Sequence, residues 1–323
     1  MSDSGRERKV RGPKIRSDRE SKRTRKTSKS LGDDEREGSR SVESADSTDR
    51  EFVETDEVAA YRRRVERWLD ADRPVHVVGP SGVGKTALAL AVARGRDAPT
   101  VWVNGDAELD TADLVGEYAG KEQYTERDAF VHDVVKKKEV VRDRWVDNPL
   151  TVAVREGATL VYNEFARSKP AANNVLLSVL EEGVLELPGK RGEDRQVEVH
   201  PDFRVILTSN SAEYAGVHEP QDALLDRLVT VHLDRYGRET EVEIVAARSD
   251  LDRERVEDVV SAVRVLGEEL DVPVSTRAAI AVADGVAAFP DDEPLAGVCR
   301  DVLSSHVTTG DASDLHQRID ELV

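Results

Sequence analysis

The stretch Gly79-Pro80-Ser81-Gly82-Val83-Gly84-Lys85-Thr86 constrains the fold of this chain more than any other. It matches G-x-x-x-x-G-K-[ST] in full. The apolar run Pro74-Val75-His76-Val77-Val78 precedes it, and a stretch rich in Ala and Leu, Thr86 to Ala93, follows. That order predicts a buried strand, a tight turn and a helix. The glycines let successive backbone N–H groups converge on one anion, and the positive end of the new helix adds to that field. Lys85 is then placed to reach the β- and γ-phosphates of a nucleotide, and the Thr86 hydroxyl to ligate Mg²⁺.

The flanking pattern extends this unit. Val58, Tyr61, Val65, Trp68 and Leu69 recur at helical spacing and predict an amphipathic helix from Asp56 onward. Further buried strands are predicted at Thr100–Val103, Ala158–Tyr162, Phe203–Thr208 and Leu228–Leu233. Strands separated by helical stretches imply an α/β fold, with a parallel five-stranded sheet covered by helices on both faces. After Arg238 only helical patterns remain, over about 239–249, 253–270, 275–288, 294–307 and 312–322. The expected organisation is a disordered charged tail over 1–50, an α/β nucleotide-binding domain over 51–237 and an all-α domain over 238–323. Between the second and third strands lies a long polar stretch, about 114–150, that carries Lys136-Lys137-Lys138. Val184–Leu187 and Gln196–Val199 alternate around Gly189-Lys190-Arg191-Gly192, which predicts a hairpin with a basic tip able to contact an acidic partner segment.

Charge narrows the setting. The formal net charge is −18, yet residues 1–30 hold 12 Lys/Arg against 4 Asp/Glu, which leaves −26 on the remainder. Beyond residue 30 the only lysines are Lys85, Lys121, Lys136, Lys137, Lys138, Lys169 and Lys190. At molar salt the Debye length is about 3 Å and such self-repulsion is screened, so a halophilic host is expected. The basic half of the tail suits electrostatic docking on an acidic partner, or is simply a solvated segment. An acidic body argues against nucleic-acid binding. Cys299 is the only cysteine, no apolar leader opens the sequence, and no run of about 18 apolar residues occurs. A cytoplasmic protein without membrane insertion is expected.

A nucleotide hydrolase also needs polar groups at the ends of neighbouring strands. Leu160-Val161-Tyr162-Asn163-Glu164 places Glu164 where a general base for the attacking water belongs. The preceding position, where an Asp usually supports the metal, is Asn163, whose amide oxygen can accept but brings no charge. Asn210 ends the fourth strand and is the candidate for sensing the γ-phosphate. Arg227, within a short helix expected at 222–228 that leads into the fifth strand, is the candidate arginine finger toward a neighbouring subunit. Arg277, at the start of a helix, is the candidate lid arginine.

These motifs in this order resemble AAA+ ATPases of the MoxR type. Longer strings resemble the gas vesicle protein N family within it: Asn148–Ala153, Gly157–Phe165, Arg167–Pro170, Asn173–Glu182 and Thr208–His218. The resemblance covers about 56–290 and implies a P-loop AAA+ three-layer sandwich followed by an all-α lid domain. It further implies ATP and Mg²⁺ as cofactors and hydrolysis of ATP in support of gas vesicle formation and growth. A ring of identical subunits is implied, associated with gas vesicles. The implied partners are other gas vesicle proteins, including gas vesicle protein C and accessory assembly proteins. Two other readings are open at this point: a hydrolysis-poor, nucleotide-gated binding module on the vesicle, and a MoxR-type chaperone for a metalloenzyme.

Overall fold

The computed structural model describes residues 52–128, 136–190, 192–210, 221–270, 274–289, 294–304 and 312–323. The charged tail, the Ser211–His218 part of the family string and Arg191 lie outside the described residues, as do the side chains of Lys136 to Lys138.

Helix α1, Asp56–Asp70, begins where the Thr55 hydroxyl accepts from the Val58 amide, with Asp56 and Glu57 in the first turn and Arg67 in the last. This is the arrangement that the helix dipole and its unpaired amides favour. Val58, Val65 and Leu69 are buried against the sheet, but Trp68 stays 39% exposed. The apolar stripe is thus narrower than the spacing predicts, because Trp68 sits beside the line through Val65 and Leu69.

Five parallel strands form the main sheet: β1 Val75–Gly79, β2 Thr100–Asn104, β5 Thr159–Asn163, β8 Arg204–Asn210 and β9 Val229–His232, in the order β2-β5-β8-β1-β9. The phosphate-loop strand β1 pairs with β8 on one side and β9 on the other. Period-two alternation splits the strand side chains between two cores. Leu160, Tyr162, Val205 and Leu207 join one, packed with α4 (Pro149–Glu156) and α6 (Val175–Glu181). Val161 and Ile206 join the other, with Val75 and Val77 and with Leu88 and Val92 of α2 (Lys85–Arg94). Three layers result.

Short helices α3 (Thr111–Val115), α5 (Pro170–Asn173) and α7 (Asp222–Leu225) link these elements. Helices α8 (Arg238–Ala246), α9 (Arg253–Glu269), α10 (Thr276–Ala288), α11 (Leu295–Leu303) and α12 (Ala312–Leu322) follow, close to their predicted spans. They build a separate core from small side chains, among them Val242, Val256, Val260, Val263, Ala279 and Val282. Cys299 is fully buried there, and burial pushes its thiol up to about 11.

The polar stretch over 114–150 contains structure that its sequence pattern does not predict. β3, Gly116–Asp128, pairs antiparallel with β4, Lys136–Asp147, with a register shift between Tyr118 and Lys121. The expected hairpin of β6 (Val184–Glu186) and β7 (Gln196–Glu198) is present. The turn of the β6–β7 hairpin meets the base of the β3–β4 hairpin. Tyr118 and Trp145 pack edge to face with centroids 5.2 Å apart, and the Tyr118 hydroxyl donates to the Gly189 carbonyl at 2.7 Å. Lys190 lies over the Trp145 ring, 5.6 Å from its centroid, so this cation of the basic tip already has an aromatic partner within the chain.

Candidate nucleotide site

Because the strands run parallel, their polar terminal residues gather along one edge of the sheet. Register places Gly79 beside Asn210 and Asn104 beside Asn163. The loop leaving β1 passes through left-handed backbone at Gly82 (φ +75°) and Gly84 (φ +93°). Gly82 is also needed for space: a β-carbon there would lie 2.3 Å from Ser275 Oγ and 3.2 Å from the Arg277 β-carbon. The loop therefore seats against the start of α10, where Ser275 is the N-cap and the Arg277 amide donates to the Gly82 carbonyl at 3.3 Å.

Lys85 is 5% exposed. Its ammonium donates to the Pro80 carbonyl at 2.7 Å and to Asn210 Oδ1 at 2.8 Å. Burial lowers the Lys85 pKa, the nearby Glu164 carboxylate opposes that shift, and Arg277 adds to it. One cation thus spans the loop and the end of β8, in the place where the phosphates of a nucleotide can replace those two acceptors.

A second group centres on Asn163. Its Oδ1 accepts from the Thr86 hydroxyl at 2.6 Å and from the Thr208 hydroxyl at 2.8 Å. Its Nδ2 donates to Asn104 Oδ1 at 2.7 Å. Thr208 in turn accepts from the Glu164 amide at 3.1 Å. Glu164 has φ +51°, which turns the chain sharply out of β5, and the close approach of Gly105 backs that turn: a β-carbon on Gly105 would lie 2.3 Å from the Glu164 carbonyl oxygen. Left-handed backbone at a non-glycine costs about 1–3 kcal/mol and is kept where surrounding contacts over-determine it. Neutral oxygen donors from Thr86 and Asn163, beside an amide-rich loop, fit a hard cation that keeps most of its water and binds phosphate as well. Among the described residues no group of three or more His, Cys, Asp or Glu side chains offers another metal site.

Six residues singled out in the sequence thereby come together: Lys85, Thr86, Asn163, Glu164, Asn210 and Arg277. Arg227 is placed differently. Its guanidinium donates to the Ala223 carbonyl and pairs with the Glu181 carboxylate at the end of α6. Asn104 and Thr208 were not singled out. Asn104 ends β2 and Thr208 lies in the last three residues of β8, both beside β5, and the rule that parallel strands collect polar residues at one edge is the signal that points to them.

Known proteins resemble this chain over the region that holds the site and beyond it. The family model for the AAA domain (dynein-related subfamily) matches residues 74–228. The gas vesicle ATPase GvpN of Haloferax mediterranei is 57% identical, covering 100% of this chain and 96% of that protein. GvpN1 of Halobacterium salinarum is 54% identical, covering 100% and 98%. NorQ of Paracoccus denitrificans is 30% identical over 71% of this chain and 77% of its own length. With identity above one half along the entire length, together with a phosphate loop in its expected strand–helix setting, the chain belongs to the gas vesicle ATPase GvpN family of AAA-domain proteins.

Proposed function

We propose that this ATPase works as a ring of identical subunits, and that it uses Mg²⁺-dependent ATP hydrolysis to remodel or assemble gas vesicle proteins as vesicles form and grow. Its partners are other gas vesicle proteins, including gas vesicle protein C and accessory assembly proteins, and it acts in the cytoplasm and on the vesicle. Support for the biology comes from relatives named gas vesicle ATPase that align along the whole chain. The observation that carries the chemistry is the Lys85 ammonium held between Pro80 and Asn210 at the mouth of the glycine loop.

In this reading the amides of Gly82 to Thr86 and Lys85 hold the β- and γ-phosphates, with Gly79, Pro80, Ser81 and Val83 shaping the loop. Thr86 and Asn163 hold Mg²⁺, which when bound neutralises charge on the phosphate oxygens. The Glu164 carboxylate accepts the proton of the attacking water as its oxygen adds to the terminal phosphorus and the bond to ADP breaks. Asn210 contacts the terminal phosphate and signals its loss to Lys85. Arg277 reaches the phosphates from α10, and Arg227 leaves Glu181 to meet the nucleotide of the adjacent subunit.

Phosphate release by the purified protein in high salt tests this assignment. Glu164→Gln should cut turnover by about 10²–10⁴-fold, the usual contribution of a positioned base, with ATP still bound. Arg227→Ala should cut it by roughly 10³-fold with each subunit's affinity retained. Undiminished turnover in Glu164→Gln removes the residue from the mechanism.

A further inference from the structure

An Asp at the position of Asn163 would present oxygen whichever way it turned. An Asn has one oxygen and one NH₂, and only the oxygen can face a cation or its water. Something must therefore choose which end faces Thr86. The structure shows two devices. On one side, the Glu164 amide donates to the Thr208 hydroxyl, which spends its own proton on Asn163 Oδ1, and Thr86 donates to the same oxygen. On the other side, Asn163 Nδ2 donates to Asn104 Oδ1 at 2.7 Å. The hydroxyls alone are weak guides, because either can rotate and accept from an NH₂ instead. Asn104 adds an acceptor for that NH₂, and its backbone is held in place: it is the register partner of Asn163 across β2 and β5, and the amide of the next residue, Gly105, donates to the Asn163 carbonyl at 2.7 Å.

We propose that Asn104 is a positioning residue that fixes the Asn163 amide with its oxygen toward Thr86, and so sets how well the site takes a divalent cation with its nucleotide. This rests on the nucleotide site proposed above. Without Asn104 the NH₂ loses its acceptor and only the rotatable Thr86 and Thr208 hydroxyls hold the amide, so it turns more readily to direct NH₂ at the cation, which repels it.

The test measures affinity for a fluorescent ADP in EDTA and across a Mg²⁺ titration, for four proteins: wild type, Asn104→Ala, Asn163→Asp and the double variant. Asn104→Ala should lower the gain in affinity that Mg²⁺ brings by about fivefold, the scale of one net hydrogen bond, with affinity in EDTA kept within about twofold of wild type. In the Asn163→Asp background the same substitution should change that gain by less than about twofold, because both carboxylate oxygens are alike. An equal loss in both backgrounds overturns the proposal, as does an intact Mg²⁺ gain in Asn104→Ala or a loss already present in EDTA, which also reports damage to the fold. A wild-type protein that binds no ADP overturns the nucleotide site itself, a result distinct from each of these.

Discussion

His76 shows how far burial alone can move a single group. It lies on β1 between the two cores, its Nε2 shares a hydrogen bond of 2.8 Å with Ser209 Oγ, and it packs edge-on to Phe165 with centroids 5.0 Å apart. Its Nδ1 is buried without a hydrogen-bond partner among the described residues, and burial, helped by the nearby His232, holds its pKa down to about 4 from 6.5. Between those values the unfolded chain binds more protons than the folded one. The stability tied to this residue is therefore whole above pH 6.5 and drains away as pH falls toward 4, by up to about 3 kcal/mol. Urea unfolding of the wild type between pH 7 and pH 4.5 should show that loss, and His76→Gln should flatten the profile across the same window. Parallel profiles for the two proteins would mean that other groups set the acid sensitivity.

Among the elements, the two hairpins are coupled in a way that neither suggests alone. Gly189 carries the coupling: a β-carbon there would lie 2.5 Å from Trp145 Cζ3 and 2.8 Å from Tyr118 Cε2. Gly189→Ala should push the β6–β7 connection off the base of β3–β4 and break the Tyr118 hydroxyl bond to the Gly189 carbonyl. Limited proteolysis should then cut beside Lys190 several-fold faster, while ATP affinity stays that of the parent, since none of the six clustered site residues touches this contact. Cleavage at the parental rate would show that the hairpins are held together by other means. The shorter hairpin was legible because Val184–Leu187 and Gln196–Val199 alternate around a glycine-rich turn. The longer one was not, because its charged residues fall on both faces and no apolar side marks the strand period.

For the whole molecule, charge outweighs any single contact. A formal balance of −18 on 323 residues, with most of the cations beyond residue 30 being Arg, destabilises the compact state through self-repulsion unless salt screens it. Raising KCl from about 0.1 M to about 2 M should lift the thermal midpoint markedly, and the rise should flatten once the Debye length falls to a few Å. A midpoint indifferent to KCl would assign the acidity to something other than salt adaptation. Among the described residues no helix is long and apolar enough to cross a membrane.

The sequence by itself determined the phosphate loop, the parallel sheet and the helical region after Arg238. Each of these rests on local spacing: glycines at fixed offsets, apolar runs of strand length and helical periodicity. Only the tertiary structure decided that Asn163 is held between Thr86, Thr208 and Asn104, that Arg227 pairs with Glu181, and that Lys190 covers Trp145. Those partners lie 45 to 77 positions apart along the chain. Sheet register and loop closure bring them together, and no local pattern in the chain encodes the distance between two strand ends.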